Sequence, residues 1–402
     1  MKGVLFLTES YHPVLGGGET HIRRLASRLV AAGTPATVLT RRTHAESRAD
    51  EVLDGVRIVR VPPVGPGRSG KYWMLPPALA ALRRLSPSHD VLVVRGTRVL
   101  GAPGLAAGRG LGLPVVLQAE LNGELSGQVY WWGTRLDHPG PRGLLRLGVA
   151  VRNRWLRDAD AFVAMSSSIR DEFLAAGVPR ERVTWIAHGV DLGHFRPVSL
   201  EERGRLRARL GLPAAAVICV YTGRLLRGKG LELLVRAFGA CARRHPEAHL
   251  LLVGAGEGQA LSIEADLRRQ VSDAGLPPRV TFAGRVEDVA EWLQASDVFV
   301  FPSLFEALGL SLVEAAACGL ACLGSRTGGI VDVIEDGASG LLVAPGDGPA
   351  WEAALGRLLA AGAPRLDLGR RARAVAEARF DLARSVARYQ ALFDELAARP
   401  AA

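Results

Sequence analysis

The sequence predicts an α/β protein made of two doubly wound, Rossmann-like domains facing a cleft. Three observations carry this. Short apolar runs alternate with longer amphipathic stretches along the chain, the pattern of parallel sheets covered by helices. The alternation pauses once, at 189–199 (Gly-Val-Asp-Leu-Gly-His-Phe-Arg-Pro-Val-Ser), and then restarts. A chain of 402 residues also exceeds one ordinary core and suits two domains. The boundaries are therefore set at 1–195, 196–378 and a tail of 379–402. In such sheets a ligand lies at the carboxyl ends of the strands.

The elements follow in order. In the first domain the strands are Val4–Leu7, Ala36–Leu39, Val91–Val94, Val115–Leu117 and Phe162–Ala164. The first runs into Glu9-Ser-Tyr-His-Pro-Val-Leu-Gly16-Gly17-Gly18-Glu19 and then a helix. Three glycines between strand and helix let backbone approach a ligand and expose N–H groups, although a tight turn needs the same residues. Residues 62–70 (Pro-Pro-Val-Gly-Pro-Gly-Arg-Ser-Gly) read as a mobile loop. The fourth strand leads into Gln118-Ala-Glu120-Leu-Asn-Gly-Glu124. Soon after comes Gln128-Val-Tyr-Trp-Trp-Gly-Thr-Arg135, aromatic enough for a sugar face or a membrane interface, or simply an apolar patch.

In the second domain the strands are Val217–Tyr221, Leu250–Val253, Val280–Phe282 and Val298–Phe301. The first continues as Thr-Gly223-Arg224-Leu-Leu-Arg227-Gly-Lys229-Gly230. An Arg and a Lys five apart in a glycine-punctuated loop can neutralise a diphosphate from two sides, or form a solvated turn. The second leads into Gly254-Ala-Gly256-Glu-Gly258. A dinucleotide fingerprint would place its third glycine one residue later and in a first βαβ unit, which argues against a dehydrogenase. The last strand meets Pro302-Ser-Leu-Phe-Glu306-Ala-Leu-Gly309-Leu310-Ser311-Leu-Val-Glu314, with Thr-Gly328-Gly329 beyond. That order is strand, loop, helix N-terminus, a ready anion site. Eight residues put the two glutamates about 12 Å apart if helical. This suits two parts of one extended ligand, or two surface carboxylates of an amphipathic helix. The stretch Phe380–Leu396 closes the chain as an amphipathic helix.

Composition narrows the classes. The net charge is +10, but residues 1–195 hold 25 basic against 16 acidic side chains, and the rest are nearly balanced. A basic first half suggests an anionic acceptor or peripheral contact with an anionic membrane. Nucleic acid is not expected, since basic and aromatic residues do not interleave on a recognisable module. The N-terminus lacks a signal-peptide pattern and no apolar run spans a bilayer. Together with four cysteines, all in the second half, this predicts a cytoplasmic protein, with peripheral contact at the inner face of the membrane as the option that the basic first half leaves open. Cys318-x3-Cys322 lacks matching ligands, and Asp158-Ala-Asp160 precedes a strand, so no metal site is expected.

The segment around Glu306 and Glu314 resembles the signature of the retaining glycosyltransferases of family four, of GT-B fold, in which Glu-x7-Glu grips a nucleotide sugar. The resemblance extends to both ends of the chain and most of the second half. It implies a last helix that crosses back to the first domain, and a donor linked to UDP or GDP with no other cofactor. Within it Gly16 and Gly17 match a Gly-Gly-x-Glu loop near the donor phosphate and the acceptor. Gly223, Arg224 and Lys229 match the diphosphate-binding loop, and Gly254 and Gly256 the nucleoside pocket. Val286, after Val280-Thr-Phe-Ala-Gly-Arg, falls in the segment that holds the base.

The resemblance further implies that Glu306 orients the sugar, that N–H groups at Gly309, Leu310 and Ser311 stabilise the leaving diphosphate, and that Glu314 takes the ribose hydroxyls. Arg224, Lys229 and Glu306 are then the catalytic set. Many members carry a His after the strand at Leu117; here Glu120 or Gln118 takes its place, or the loop is rebuilt. His188 replaces a family Asn. The function implied is metal-independent transfer of a sugar, with retention, to a hydroxyl of a glycan, glycolipid or small molecule. An epimerase of the same fold and a non-catalytic sugar or headgroup binder are the alternatives.

Overall fold

The computed structural model describes residues 1–14, 16–67, 69–128, 143–259, 261–360 and 362–399, and of Leu144 and Leu145 only the backbone. The aromatic run from Tyr130 to Trp132 lies outside the described residues. The chain divides into two compact units, Met1–His188 with the segment from Leu382 onward, and Gly189–Asp381.

Among the described residues the first unit carries eight strands: β1 (Val4–Leu7), β2 (Ala36–Arg41), β3 (Asp50–Leu53), β4 (Val56–Val61), β5 (Val91–Arg95), β6 (Val115–Gln118), β7 (Ala161–Ala164) and β8 (Val183–Trp185). They lie in the order β3-β4-β2-β1-β5-β6-β7-β8. All pairs are parallel except the β3–β4 hairpin. Both faces of the central strands are covered, so β1, β5 and β6 are buried at every position, as continuous apolar runs require.

The helix Gly17–Ala31 buries Ile22, Leu25, Ala26 and Leu29. Beside it lies the helix Leu382–Ala397, which buries Leu382, Val386, Tyr389, Phe393 and Leu396 in the same core as β1 and β5. Phe393 meets Phe6 edge-on at 6.3 Å between ring centres. The tail thus belongs to the first unit, as the resemblance implies.

The second unit carries β9 (Val217–Thr222), β10 (Ala248–Val253), β11 (Val280–Gly284), β12 (Val298–Phe301), β13 (Ala321–Ser325) and β14 (Gly340–Val343). Their order is β11-β10-β9-β12-β13-β14, all parallel. Each unit is therefore doubly wound, and the order reverses between β1 and β5 in one and between β9 and β12 in the other.

The units part at Gly189 and Leu382, not at 196 and 379. The pause in the pattern is packed against the second unit. Val190 donates its N–H to Phe380 O (2.8 Å), and Arg373 donates to Phe195 O (2.7 Å). Phe195 is itself buried.

Candidate active site

Where the order of a parallel sheet reverses, the loops after the two diverging strands open a crevice at their carboxyl ends. In the second unit these loops are 223–230 after β9 and 302–309 after β12. They are laced together: Leu304 N–H donates to Gly228 O (3.0 Å). The loop after β10 joins them through Leu225 N–H on Ala255 O (3.2 Å) and Gly223 N–H on Val253 O (2.9 Å).

Two glycines make this closeness feasible. Gly254 has φ +129° and a Cβ there would stand 1.9 Å from Gly223 O. Gly309 has φ +87°, and its Cβ would stand 2.8 Å from the Phe301 ring. Only glycine satisfies both the left-handed backbone and the missing space. Gly256 donates its N–H to the Glu264 carboxylate (2.9 Å), and Val286 follows β11 half-buried.

At the centre of the crevice Lys229 Nζ lies 2.7 Å from Glu306 Oε2. The ammonium also sits 6.0 Å from the centre of the Phe301 ring. Phe301 stacks on Tyr221 at 6.2 Å, and the Tyr221 hydroxyl donates to Arg224 O (3.1 Å). Burial pushes the Tyr221 hydroxyl far above its ordinary range, and the Glu306 charge adds to this, so it remains a donor. The Glu306 carbonyl accepts Gly329 N–H (3.2 Å), which fastens the Thr327–Gly329 turn to the same loop.

The helix Leu310–Ala317 begins at Gly309. Its first internal bonds run from Leu312 and Val313 to Gly309 O, so the Leu310 and Ser311 N–H groups precede them. Glu314, 7% exposed, is buried about one turn inside. Arg224 and Arg227 are both exposed. The arrangement offers a cation, helix-terminal N–H groups and two carboxylates to one elongated anionic ligand.

The first unit brings Gly16, Gly17 and Glu120 to its own point of reversal. Gly16 caps the helix Gly17–Ala31, and Ser10 Oγ donates to Glu19 Oε1 (2.6 Å) in its first turn. At the end of β5 stands Arg95, 1% exposed, with Nη2 3.5 Å from Glu120 Oε1. Gln118 turns into the interior, where its Nε2 donates to the Tyr389 hydroxyl (3.1 Å). Glu120 faces the edge.

The segment after β6 is folded around two carboxylates. Glu124 accepts from Thr97 N (2.6 Å), Thr97 Oγ1 (2.7 Å), Glu120 N (2.9 Å) and Leu121 N (3.0 Å). Glu172 accepts from the N–H groups of Gly123, Leu125 and Ser126 at 2.7–2.9 Å. His188 is buried with its ring stacked on His21 at 3.5 Å. Burial holds both imidazoles well below their ordinary range. Asp160 accepts Val115 N–H (2.7 Å) and Asp158 pairs with Arg109 (3.3 Å), which gives that Asp-x-Asp pair a structural role.

Sequence reasoning missed Arg95, Glu124, Glu172, His21 and Tyr221. The available signal for Arg95 was a charge closing an otherwise apolar strand. Glu172 and His21 meet their partners across long sequence separations that no local pattern marks, and Glu124 and Tyr221 act through backbone groups that side-chain spacing does not reveal.

Two family models match the chain. One, described as Glycosyltransferase Family 4, covers residues 15–194; the other, Glycosyl transferases group 1, covers 216–361. A D-inositol 3-phosphate glycosyltransferase of Pseudarthrobacter chlorophenolicus is 31% identical over 368 residues, 89% of this chain and 85% of that one. The chain belongs to the family 4 glycosyltransferases.

A second relative of the same name, from Catenulispora acidiphila, is 31% identical over 82% of this chain and 78% of its own. Among solved structures, the sucrose-phosphate synthase of Thermosynechococcus elongatus superposes with a TM-score of 0.81 at 27% identity, covering 98% of both chains. The Anabaena protein HepE, solved with UDP and glucose, shares the fold with a TM-score of 0.77 at 24% identity, covering 98% of this chain and 99% of its own. The protein is thus a glycosyltransferase with two Rossmann-like units, of a family that is retaining and metal-independent.

Proposed function

We propose that the crevice between β9 and β12 binds a nucleotide-diphosphate sugar, linked to UDP or GDP, and that the sugar passes to a hydroxyl with retention. The observation that carries this reading is the Lys229–Glu306 pair, 2.7 Å apart, beside the N-terminus of Leu310–Ala317. Lys229 and the Leu310 and Ser311 N–H groups stabilise charge developing on the leaving diphosphate. Arg224, on the same loop, adds a second cation. Glu306 takes hydroxyls of the transferred sugar and Glu314 those of the ribose. Gly223 belongs to the same diphosphate loop, and Gly254, Gly256 and Val286 line the nucleoside end.

In the transfer the anomeric C–O bond to the diphosphate breaks. The acceptor oxygen bonds to that carbon from the same face, and the acceptor proton ends on the departing phosphate oxygen. No covalent protein residue is assigned.

The choice of donor is supported by the Anabaena protein HepE, which was solved with UDP-glucose. An epimerase and a non-catalytic binder are not favoured. The reading is tested by thermal stabilisation with UDP- and GDP-sugars followed by nucleotide release. Ligand at about 100 times its Kd adds about 2.7 kcal/mol. A protein stabilised by neither class of nucleotide sugar would refute the donor site.

Peripheral membrane contact is supported by the helix Gly143–Leu156, which exposes Leu147, Val151 and Trp155 at intervals of four, with Arg146 and Arg154 alongside. Co-sedimentation with phosphatidylglycerol vesicles at low salt is the expected result, and no recruitment at low salt would remove this part of the reading.

A further inference from the structure

The loop after β9 carries two cations that the fold holds in different ways. Lys229 is fixed at its head group, 2.7 Å from Glu306 Oε2 and 6.0 Å from the centre of the Phe301 ring. Arg224 is exposed, and a long exposed side chain loses rotamer freedom when it engages a ligand. What the fold supplies to Arg224 is a fixed backbone. Its carbonyl accepts both the Tyr221 hydroxyl (3.1 Å) and the Leu226 N–H (3.0 Å). A side chain at the end of β9 thus reaches forward three residues and ties the loop where the arginine leaves it.

The surroundings of Tyr221 give that tie its rigidity. The side chain is fully buried, and its ring stacks on Phe301 at 6.2 Å with 25° between the planes. Phe301 in turn meets Phe299 at 5.6 Å. Close packing on these rings sets the place of the hydroxyl from within the sheet. The hydroxyl passes Gly223 on its way to the carbonyl, and a Cβ there would stand 2.9 Å from its oxygen. Phe301 is also the ring beside Lys229, so one aromatic pair underlies both cations. Arg227 is tied instead through its own N–H, to Leu261 O (2.9 Å).

We propose that Tyr221 is a positioning residue for diphosphate recognition. Acting through the Arg224 backbone, it holds that guanidinium at a set spacing from Lys229, so that the loop favours a diphosphate over a monophosphate of the same nucleoside. This rests on the nucleotide-sugar reading of the crevice. Lys229 meets one phosphate by itself, and a fixed Arg224 matters for the second. Groups held in place before binding avoid the ordering that mobile ones must undergo. Tyr221 is buried and reaches the ligand only through Arg224.

The test measures Kd by titration calorimetry on the full chain, for UDP with UMP and for GDP with GMP, and carries forward the pair whose diphosphate binds. Tyr221→Phe keeps the ring and removes the hydroxyl bond. It conserves volume, and Arg224 is exposed, so both substitutions retain the fold. In Tyr221→Phe the preference for diphosphate should fall about 3–10-fold, the worth of one hydrogen bond, with monophosphate affinity unchanged. Arg224→Ala should lower the preference further. Adding Tyr221→Phe to Arg224→Ala should then change it by less than about twofold, because the two act as one unit.

A wild-type chain with no preference for the diphosphate overturns the proposal. So does an unchanged preference in Tyr221→Phe, an equal loss of both nucleotides, or the same loss repeated in the Arg224→Ala background, which a merely structural role would give. Failure of the donor reading is separate, being read from nucleotide-sugar stabilisation. Where nucleotide sugars stabilise the chain but neither diphosphate binds, the proposal falls alone.

Discussion

At the reversal point of the second unit a lysine and a glutamate meet at 2.7 Å, each half-buried and within a woven set of glycine loops. At that of the first unit an arginine and a glutamate stop at 3.5 Å without a hydrogen bond, the cation buried and the carboxylate facing out. The first arrangement keeps its cation at the surface of the crevice, where a diphosphate can take it from Glu306. The second withdraws its cation and shows only its acid. Two sheets of the same winding thus hold their cations at different depths at the same topological position. What differs is the depth at which each cation is attached: Lys229 sits on a loop beyond the strand end, Arg95 on the strand itself.

The largest expected effect tests the side that offers a cation. Lys229→Ala should lower kcat/KM for the donor by about 10–100-fold, the worth of a charge-assisted contact of about 1.5–3 kcal/mol. Arg227→Ala, exposed on the same loop, should change it by less than about twofold. Steady-state kinetics on the two variants decide it. Similar small losses at both would reduce the loop to a solvated turn and erase the contrast between the units.

A second effect separates the units by stability. Gly254→Ala puts a Cβ 1.9 Å from Gly223 O at φ +129°, which should destabilise by about 1–3 kcal/mol. Because the strain lies among loops of the second unit, hydrogen exchange should rise in β9 and β10 and stay unchanged in β1 and β5. Uniform loosening of both would show that the strain is not local.

The smallest effect sharpens the acidic side. Burial pushes the Glu120 carboxyl up to about 7; Arg95 opposes this, while Glu124, Glu19 and Glu9 add to it. If the ionised form accepts the acceptor hydroxyl, kcat/KM for the acceptor falls as pH drops through about 7. Arg95 favours the ionised form, so Arg95→Met should move that limb upward by about one pH unit. Glu19→Gln removes a repelling charge and should move it downward. A limb that stays fixed in both variants would mean that Glu120 is not the titrating group, whatever the loss in rate, and Arg95→Lys should restore most of the original profile.

The two points of reversal were unequally legible. The loops after β9 and β12 could be read because everything they need is local: glycines, one Lys, one Glu and a helix start within a few residues. The strands β3, β4, β8, β13 and β14 went unnamed because their signal is diluted. β4, for instance, is Val-Arg-Ile-Val-Arg-Val, and its Arg60 is buried only because Glu51 and two carbonyls receive it. The loop after β6 was similarly opaque. Its missing His is plain in the sequence, but the carboxylate that organises it includes Glu172, 46–49 residues from the groups it holds. A net charge count likewise cannot tell an arginine on a surface from one beneath a glutamate.

The core of the first unit is closed by a helix, Leu382–Ala397, that lies after the whole of the second unit in the chain. During synthesis this reverses the usual order of completion. At about 5–20 residues per second, Phe6, Ile22 and Leu25 wait roughly 20–75 s for the Tyr389, Phe393 and Leu396 side chains that cover them. Once Gly340–Val343 is made the second unit has its full sheet available, while the first still carries an open apolar face. The first unit is therefore complete only once the helix Leu382–Ala397 has been made, after every strand of the second.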